Sequence, residues 1–390
     1  MLALLLTPGV GPVRAARLVE TFGSAAEVRN ASPAQLRRVK GIGEHLSASI
    51  ASELRQADPL ARAELELAQS LGVHLIQQDH NDYPPLLRQM HTAPLLLYAK
   101  GTRAESPLDA YPLAVIGSRE CTHYGIEQAE RFAGVLASSG ITVVSGGARG
   151  IDSAAHRGAL RSLGRTVAIL GCGLAHTYPP ENKELFDAIC SLDDHGRPRG
   201  MLLSELPLNT PPSAENFPAR NRLISGMSLG VLVIEAGMRS GALITARIAA
   251  EDHGREVMAL PGRVDSRASA GSHDLLKSGG ATLVTDPGDV LQLLETPARH
   301  LYHGTHQARY EPIEANRAAD LFQAPPDHPP ADLLPNPVAV RVYAALAEPR
   351  TLDELVVLTA LAPGDLLPVL TMLEIQKRII RAGPHFRRRA

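Results

Sequence analysis

The feature that most constrains the fold is an alternation of two patterns between about residues 70 and 296. Short runs rich in β-branched and other apolar residues alternate there with stretches of helical periodicity. Such alternation is typical of a parallel sheet with helices on both faces, because each crossover between parallel strands needs a long connection. We therefore predict an α/β domain with a Rossmann-like, doubly wound, mostly parallel sheet.

The pattern places individual strands and helices within this domain. Seven strands are predicted, at residues 113–116, 141–144, 166–170, 201–204, 231–234, 257–260 and 282–284. Helices are predicted near 124–138, 152–162, 181–190, 242–252 and 287–294. We expect the sheet domain to occupy residues 66–296.

A small helical domain is expected before the sheet, at residues 1–65. Two short segments there, 7–11 and 39–43, are copies of one pattern in which a GxG precedes an apolar helical stretch. This pattern is typical of a helix-hairpin-helix (SAM-like) domain, whose glycines let backbone N–H groups approach a phosphate of duplex DNA. The alternative is a small helical bundle whose glycines only turn the chain.

The C-terminal part divides into a linker and a further domain. Residues 297–335 are rich in proline, a composition that favours extended conformers, and His300, His303 and His306 recur there. No cysteine or paired carboxylate completes a metal site around these histidines, so we interpret them as incidental. Three amphipathic runs and a hairpin pattern then predict a winged-helix domain at residues 336–390.

The third run of that domain, residues 363–376, is leucine-rich and carries Asp365 and Glu374. A helix that reads the major groove should be basic and polar. We therefore expect this domain to bind a partner or to be inert. A sequence-specific transcription factor is a weak alternative.

Charge and cysteine content restrict the class of protein. The formal net charge of −2 excludes a global positive field like that of a histone, so any DNA site must be a local patch. The three cysteines form no CxxC pair, as expected in a reducing compartment. No 18-residue apolar stretch and no basic leader occur, so we expect a cytoplasmic protein with no membrane partner.

Residues directly after the strands carry the clearest functional signal, because ligands of an open parallel sheet bind at the carboxyl ends of its strands. The first strand is followed by Gly117-Ser118-Arg119 and the second by a glycine-rich segment, Gly146 to Gly150. Glycines expose backbone N–H groups to anions, and arginine matches phosphate oxygens. We call these two segments the phosphate rim.

An aromatic residue and two arginines follow further along the chain. Phe217, Arg220 and Arg222 lie within six residues. Aromatic faces and guanidinium groups suit unstacked bases and phosphates, so the pattern favours a polynucleotide over a lone cofactor.

These motifs together resemble one known family. The phosphate rim with Asp152 and His156, the pair Tyr178-Pro179, the run 217–222, the run 240–246, Pro261-Gly262 and Lys277 with Gly280-Ala281 resemble the DNA-processing protein A (DprA/Smf) family. Their order and spacing extend over about 180 residues of the middle domain, so the resemblance is specific.

The resemblance implies a non-enzymatic protein that binds single-stranded DNA without sequence preference. Members dimerise, protect incoming single strands in natural transformation and recombination, and help load the RecA recombinase. The candidate DNA contacts carried over by position are Gly117, Ser118, Arg119, Gly146, Gly147, Arg149, Gly150, Arg220, Asn221, Arg222 and Lys277. Members often have a lysine directly after the Tyr-Pro pair, where this chain has Pro180, so Lys183 is a further candidate.

Two residues near the rim also have structural interpretations. Asp152 is expected to cap the helix that follows it, because a carboxylate near a helix start satisfies free N–H groups. His156 lies one turn later, and we interpret it as a packed histidine and not as a catalyst.

The enzyme classes that use such sheets are disfavoured. The chain has no complete GxGxxG and no Walker A lysine, which argues against NAD and ATP, and we predict no cofactor and no metal. The main alternative is a hydrolase, since the domain also resembles the lysine-decarboxylase-like phosphoribohydrolases. Those enzymes carry a catalytic glutamate in a glycine-rich loop, and the equivalent residues 240–247 contain no carboxylate.

Overall fold

The structure is a computed structural model that describes residues 1–101, 111–302, 337–375, 378–382 and 385–389. Short helices come first, a large α/β sheet domain follows, and a small helical and β-hairpin domain ends the chain. No helix within these ranges is long and apolar enough to cross a bilayer.

The N-terminal domain has six helices, and the first five of them share one apolar core. The helices are α1 (Leu2–Leu5), α2 (Pro12–Phe22), α3 (Ala25–Asn30), α4 (Pro33–Leu36), α5 (Glu44–Gln56) and α6 (Asp58–Ser70). Gly11 and Gly43 are the N-caps of α2 and α5, each in an extended conformation. Leu18 and Ile50 from these two helices are fully buried in one core. Each GxG therefore precedes a helix, as predicted.

The described residues form nine strands of one sheet. They are β1 (Val73–Gln77), β2 (Leu96–Gly101), β3 (Pro112–Ile116), β4 (Thr142–Ser145), β5 (Thr166–Ile169), β6 (Gly200–Ser204), β7 (Gly230–Val233), β8 (Glu256–Ala259) and β9 (Thr282–Leu283), in the spatial order β1-β2-β6-β5-β4-β3-β7-β8-β9. The strands from β3 onward pair in parallel, while β1 and β2 are antiparallel additions at one edge. All seven predicted strands lie within one residue of an observed strand.

Helices cover both faces of the sheet. They are α7 (Pro85–Arg88), α8 (His123–Ser138), α9 (Ile151–Arg161), α10 (Lys183–Ile189), α11 (Asn216–Gly226), α12 (Gly241–Glu251), α13 (Ala270–Lys277) and α14 (Pro287–Tyr302). One core packs α8, α9 and α14 against the sheet, and a second packs α11 and α12 against the opposite face. This arrangement confirms the doubly wound prediction.

The C-terminal domain has winged-helix architecture. Helices α15 (Pro337–Ala345), α16 (Leu352–Thr359) and α17 (Pro363–Ile375) precede the hairpin of β11 (Ile379–Ala382) and β12 (His385–Arg388), and β10 (Arg350–Thr351) pairs with β12. Helix α17 contributes leucines to its own domain's core, while its Met372 is buried in the core formed with α8 and α14. Helix α17 is apolar because it packs both against its own domain and against the sheet domain.

The start of the predicted linker is helical, since α14 continues through Pro297 to Tyr302. His300 belongs to this helix, and the helix extends eight residues beyond the predicted end at residue 294. Most of the predicted linker, with His303 and His306, lies outside the described residues.

Candidate nucleic-acid interface

A cavity of about 960 Å³ lies at the carboxyl ends of the central strands. Its walls come from the segment after β3, the start of α9, helix α11 and the start of α12. The chain order places β4, β5 and β6 on one side of β3, and β7, β8 and β9 on the other. The cavity therefore lies at the topological switch point, where open α/β sheets bind their ligands.

The two segments of the phosphate rim lie against each other. Gly147 and Gly150 have φ values of +65° and +75°, which glycine adopts at little cost. A Cβ atom on Gly150 would stand 2.4 Å from the carbonyl oxygen of Ser118 and 2.8 Å from that of Arg119. The backbone N–H of Ile151 donates to the same Ser118 oxygen over 3.2 Å. Close approach of the two segments therefore depends on glycine at position 150.

Asp152 stabilises the rim and does not cap a helix. Helix α9 starts after Gly150 with no side-chain cap, and the Asp152 carboxylate accepts hydrogen bonds from the N–H groups of Gly146 and Ala148, at 3.2 and 3.3 Å. The capping interpretation was wrong because the carboxylate points back to the preceding loop. Burial raises the pKa of Asp152, and the charge of Arg220 opposes that effect.

Arg220 supports the same loop from below. Its side chain is 5% exposed, and one guanidinium nitrogen donates to the carbonyl oxygen of Gly146 over 2.6 Å and also to that of Ile169. Burial lowers the pKa of Arg220 to about 10, so the group is charged at neutral pH. Arg220 lines the cavity, but one of its guanidinium nitrogens is taken up by the protein's own backbone.

Exposed arginines and half-buried aromatic side chains form the mouth of the cavity. The guanidinium carbon of Arg119 lies 5.1 Å from the centre of the Phe217 ring, and that ring lies 5.3 Å from the ring of Tyr178. Arg149 lies in an adjoining groove with the same aromatic pair and forms an ion pair with Glu181. The mouth thus presents cationic groups beside aromatic faces.

The structure brings most of the predicted contacts together. Those that line the cavity or the adjoining groove are Gly117, Ser118, Arg119, Gly146, Gly147, Arg149, Arg220 and Asn221. Gly150 lies directly behind them, against Ser118.

Three predicted contacts lie outside the cavity wall. Arg222 forms an ion pair with the buried Glu205 and donates to the carbonyl oxygen of Thr92 over 2.7 Å. Lys183 pairs with Asp187 on the exposed face of α10, at 2.5 Å. Lys277 is exposed at the last residue of α13. Arg222 is therefore held by contacts within the protein, whereas Lys183 and Lys277 are exposed and do not line the cavity.

Comparison with known proteins identifies the family. The model of the DNA recombination-mediator protein A family matches residues 74–295, which is more than half of the chain. The chain belongs to the DNA recombination-mediator protein A family. The resemblance to DprA and Smf proteins is thereby confirmed. Models of a SAM-like helix-hairpin-helix tandem and of the DprA winged-helix domain match residues 1–56 and 324–383.

Individual DprA and Smf proteins extend this similarity. Protein Smf of Synechocystis is 35% identical over 381 residues, covering 94% of this chain and 92% of that protein. The DNA processing protein DprA of Streptococcus pneumoniae is 43% identical over 214 residues, covering 55% and 71%. The X-ray structure of the S. pneumoniae protein superimposes with a TM-score of 0.61 at 33% identity, covering 74% of this chain and 95% of that one.

In this DprA-family chain, His156 is a packed histidine, as predicted. It is fully buried, and its Nδ1 lies 2.7 Å from Oγ1 of Thr166. Burial lowers the pKa of His156 to about 3, so the ring is neutral at physiological pH. Such a group, enclosed on the sheet, is unsuited to exchange protons with a ligand.

The hydrolase alternative requires a carboxylate in the loop before α12. Residues 240–247 form the first turns of α12, and Ser240, Gly241 and Thr245 line the cavity there. The carboxylates on the wall of this cavity are Glu120 and Asp152, and Asp152 is already bonded to the rim. In the described ranges, no group of three or more His, Cys, Asp or Glu side chains could hold a metal ion.

Two arginines that the sequence analysis did not select, Arg239 and Arg267, also line the cavity of this DprA-family chain. Arg239 follows β7 by six residues and directly precedes Ser240, the N-cap of α12. The rule that led to Arg119, a cation after the carboxyl end of a strand, applies equally to Arg239. Arg267 comes from a turn before α13, where strand periodicity gives no signal.

Proposed function

We propose that this protein binds single-stranded DNA without sequence preference, through the cavity and the phosphate rim. The single observation that carries this proposal is the position of Arg119 over Phe217 at the mouth of the cavity, beside the glycine-rich rim. Guanidinium groups neutralise phosphates, and aromatic faces stack on any base. A strand with unstacked bases satisfies both chemistries, whereas paired bases of a duplex leave the rings unused.

The local charge supports the same proposal. Among the described residues, four arginines line the cavity (Arg119, Arg220, Arg239 and Arg267), against two carboxylates, Glu120 and Asp152. This excess contrasts with the overall formal charge of −2. Polyanion binding therefore belongs to this patch and not to the whole surface.

We further propose the biological setting that family membership suggests. In it, the protein acts in the cytoplasm as a homodimer, protects incoming single strands during natural transformation, and helps load RecA for recombination. A dimer would place two cavities along one strand and raise avidity. The N-terminal hairpins are a second proposed contact, with duplex DNA, because Gly11 and Gly43 stand at the starts of α2 and α5.

A non-catalytic role fits the geometry of the site. The buried His156 and the bonded Asp152 stabilise the fold and the rim. We propose no cofactor and no metal. Incubation with nucleoside monophosphates checks this point, since release of free base would favour the hydrolase alternative.

The deciding experiment is a titration of the full-length protein with labelled oligo(dT) and with a matched duplex over a range of salt. If about five phosphates are neutralised, the logarithm of affinity falls against the logarithm of salt with a slope near −3.5, from about −0.7 per contact. We expect this slope with oligo(dT) and weaker binding of the duplex. A slope near zero, or equal binding of both DNAs, would contradict the proposal.

A further inference from the structure

Arg239 and Arg267 lie on the part of the cavity wall beyond the phosphate rim. Arg239 directly precedes the N-cap of α12, and Arg267 opens the short turn Arg267–Ser269 before α13. Both side chains are exposed and both line the cavity. They come from segments 28 residues apart, so a specific contact must hold those segments together.

That contact is a set of hydrogen bonds made by the backbone of Ala236. Its carbonyl oxygen accepts from the N–H groups of Gly271 and Ser272, at 2.8 and 3.1 Å. Its own N–H donates to Oγ of Ser272 over 3.0 Å. A Cβ on Gly237 would lie 3.4 Å from the carbonyl oxygen of Arg267. The turn that carries Arg267 is thus held against the segment that carries Arg239.

The two guanidinium groups are uncompensated. Among the described residues, neither the Arg239 nor the Arg267 side chain has a hydrogen bond or an ion pair. Nearby exposed arginines differ, because Arg263 pairs with Asp265 at 3.1 Å and Arg247 pairs with Glu251 at 4.0 Å. A pair of unpaired cations on a cavity wall is a site for an anion.

The start of α12 adds to the positive potential of the two guanidinium groups. The helix has 11 residues, and its N-terminal residues Gly241 and Ala242 line the same cavity as the two arginines. Aligned peptide dipoles place partial positive charge at a helix start. Arg220 also lines this cavity as a charged group, and its buried Nε has no hydrogen-bond partner in the described structure.

We infer that Arg239, Arg267 and the N-terminus of α12 form a second phosphate subsite, separate from the phosphate rim. This inference rests on the proposed function, because the subsite takes a phosphate of the strand that the rim binds. The ligand is a phosphate group, either an internal phosphodiester or a terminal monoester. The strand then crosses the sheet from the end of β4, past β3, to the end of β7.

The test compares three forms of the full-length protein: the wild type, the double variant Arg239→Ala/Arg267→Ala, and the control Arg247→Ala. Arg247 lies on the same helix, is exposed and does not line the cavity. Each form is titrated with oligo(dT) across salt, using strands with a 5′-phosphate, with a 3′-phosphate and with no terminal phosphate. Melting temperature is recorded for each form.

We expect the salt slope of the double variant to be shallower than that of the control by about 0.7, the value for the one phosphate that the subsite neutralises on a single strand. A loss with all three strands identifies an internal phosphodiester, and a loss confined to one phosphorylated strand identifies that terminus. The double variant Arg239→Lys/Arg267→Lys should retain most of the slope, because the charges remain.

The subsite and the proposed function fail in different ways. If the wild type binds oligo(dT) with a steep slope and the double alanine variant keeps both slope and affinity, the subsite is overturned and the function stands. If the wild type shows no salt-dependent binding to single strands, both are overturned. If the double alanine variant has a lowered melting temperature but the double lysine variant keeps the wild-type salt slope, the result still supports the subsite.

Discussion

The Arg220 guanidinium donates to the carbonyl oxygen of Gly146 over 2.6 Å, from a side chain that is 5% exposed. Asp152 accepts from the N–H group of the same glycine. Gly146 is therefore held at both of its peptide groups by opposite buried charges. A Cβ at this position would stand 2.6 Å from the Arg220 guanidinium, so the rim depends on the absence of a side chain here.

Replacing Arg220 should reduce stability more than it reduces DNA binding directly. Arg220→Met leaves Asp152 as a buried charge without its opposing cation and leaves two carbonyl oxygens without a donor, which costs about 3–5 kcal/mol. Urea unfolding measures this loss. The double variant Arg220→Met/Asp152→Asn should lose less free energy of unfolding than the two single variants lose together. Unchanged stability of Arg220→Met would contradict the supporting role.

Arg119→Ala should reduce DNA binding and leave stability nearly unchanged, which is the opposite of the result expected for Arg220. The side chain is exposed and stacked on Phe217, so its removal should leave the melting temperature nearly unchanged. The salt slope for oligo(dT) should fall by about 0.7, the value for one phosphate contact on a single strand. Arg131→Ala is the matched control, because Arg131 also lies over a phenylalanine ring, at 5.5 Å, but outside the cavity. If both variants change the salt slope equally, Arg119 does not contact a phosphate.

Gly150→Ala should distort the rim. Position 150 has φ of +75°, and an added Cβ would collide with the carbonyl oxygens of Ser118 and Arg119. Gly196 is the control, since its φ is +76° but its Cβ position is open. Gly196→Ala should cost about 1–2 kcal/mol for its positive φ alone. Gly150→Ala should cost about 1–3 kcal/mol more for overpacking, and its ψ of −124° lies outside the left-handed helical region and adds further backbone strain. Urea unfolding of both variants gives the difference, and equal losses would contradict the collision.

The predictions from sequence that succeeded depend on local patterns. Strand runs and the residues after them are short-range signals, so β3 to β9 were predicted correctly, and Gly117 and Arg119 line the cavity after β3. The edge strands β1 and β2 were missed, because they are antiparallel additions without the strand and helix alternation. Helix α11 was missed too: Pro218 lies in its first turn, and its apolar residues do not form one stripe.

Residues 220 and 222 show what sequence cannot decide. Both arginines lie in one motif, yet the twist of α11 directs Arg220 into the sheet loops and Arg222 toward Glu205 and Thr92. Which side chain is buried depends on partners more than 15 residues away in sequence. The charge pattern predicted a cationic site, but only packing distinguishes a supporting arginine from one that is free for a ligand.

Acidification should destabilise the protein through His156. Oγ1 of Thr166 donates to the carbonyl oxygen of Val143 and accepts from Nδ1 of His156, while Nε2 is buried without a partner in the described structure. Burial lowers the pKa of His156 from 6.5 to about 3. Between these pH values the unfolded chain binds a proton that the folded chain excludes, so stability falls as pH falls from 6.5 toward 3.

This single group contributes up to about 1.4 kcal/mol of lost stability per pH unit in that window. Urea unfolding at several pH values should show a steeper loss for the wild type than for His156→Gln, which cannot take up the proton. His176→Gln, at a more exposed ring, is the control. Parallel pH profiles for the wild type and His156→Gln would show that His156 titrates normally.

Met372 should hold the winged-helix domain against the sheet domain. It is 2% exposed within the core that includes α8 and α14, whereas its neighbour Leu373 belongs to the winged-helix core. Met372→Asp places a carboxylate in this apolar contact, and an unpaired buried charge is costly enough that the two surfaces should separate. Hydrogen exchange should then rise in α14 and α17.

The control for that variant is Leu367→Asp on the same helix, where the side chain is 42% exposed. It should leave exchange in α14 unchanged. Neither α8, α14 nor α17 contributes a residue to the cavity wall, so oligo(dT) affinity should be the same for Met372→Asp and the wild type. A parallel fall in affinity would instead mean that the domain contact supports the DNA site, and unchanged exchange would mean that Met372 does not hold the domains together.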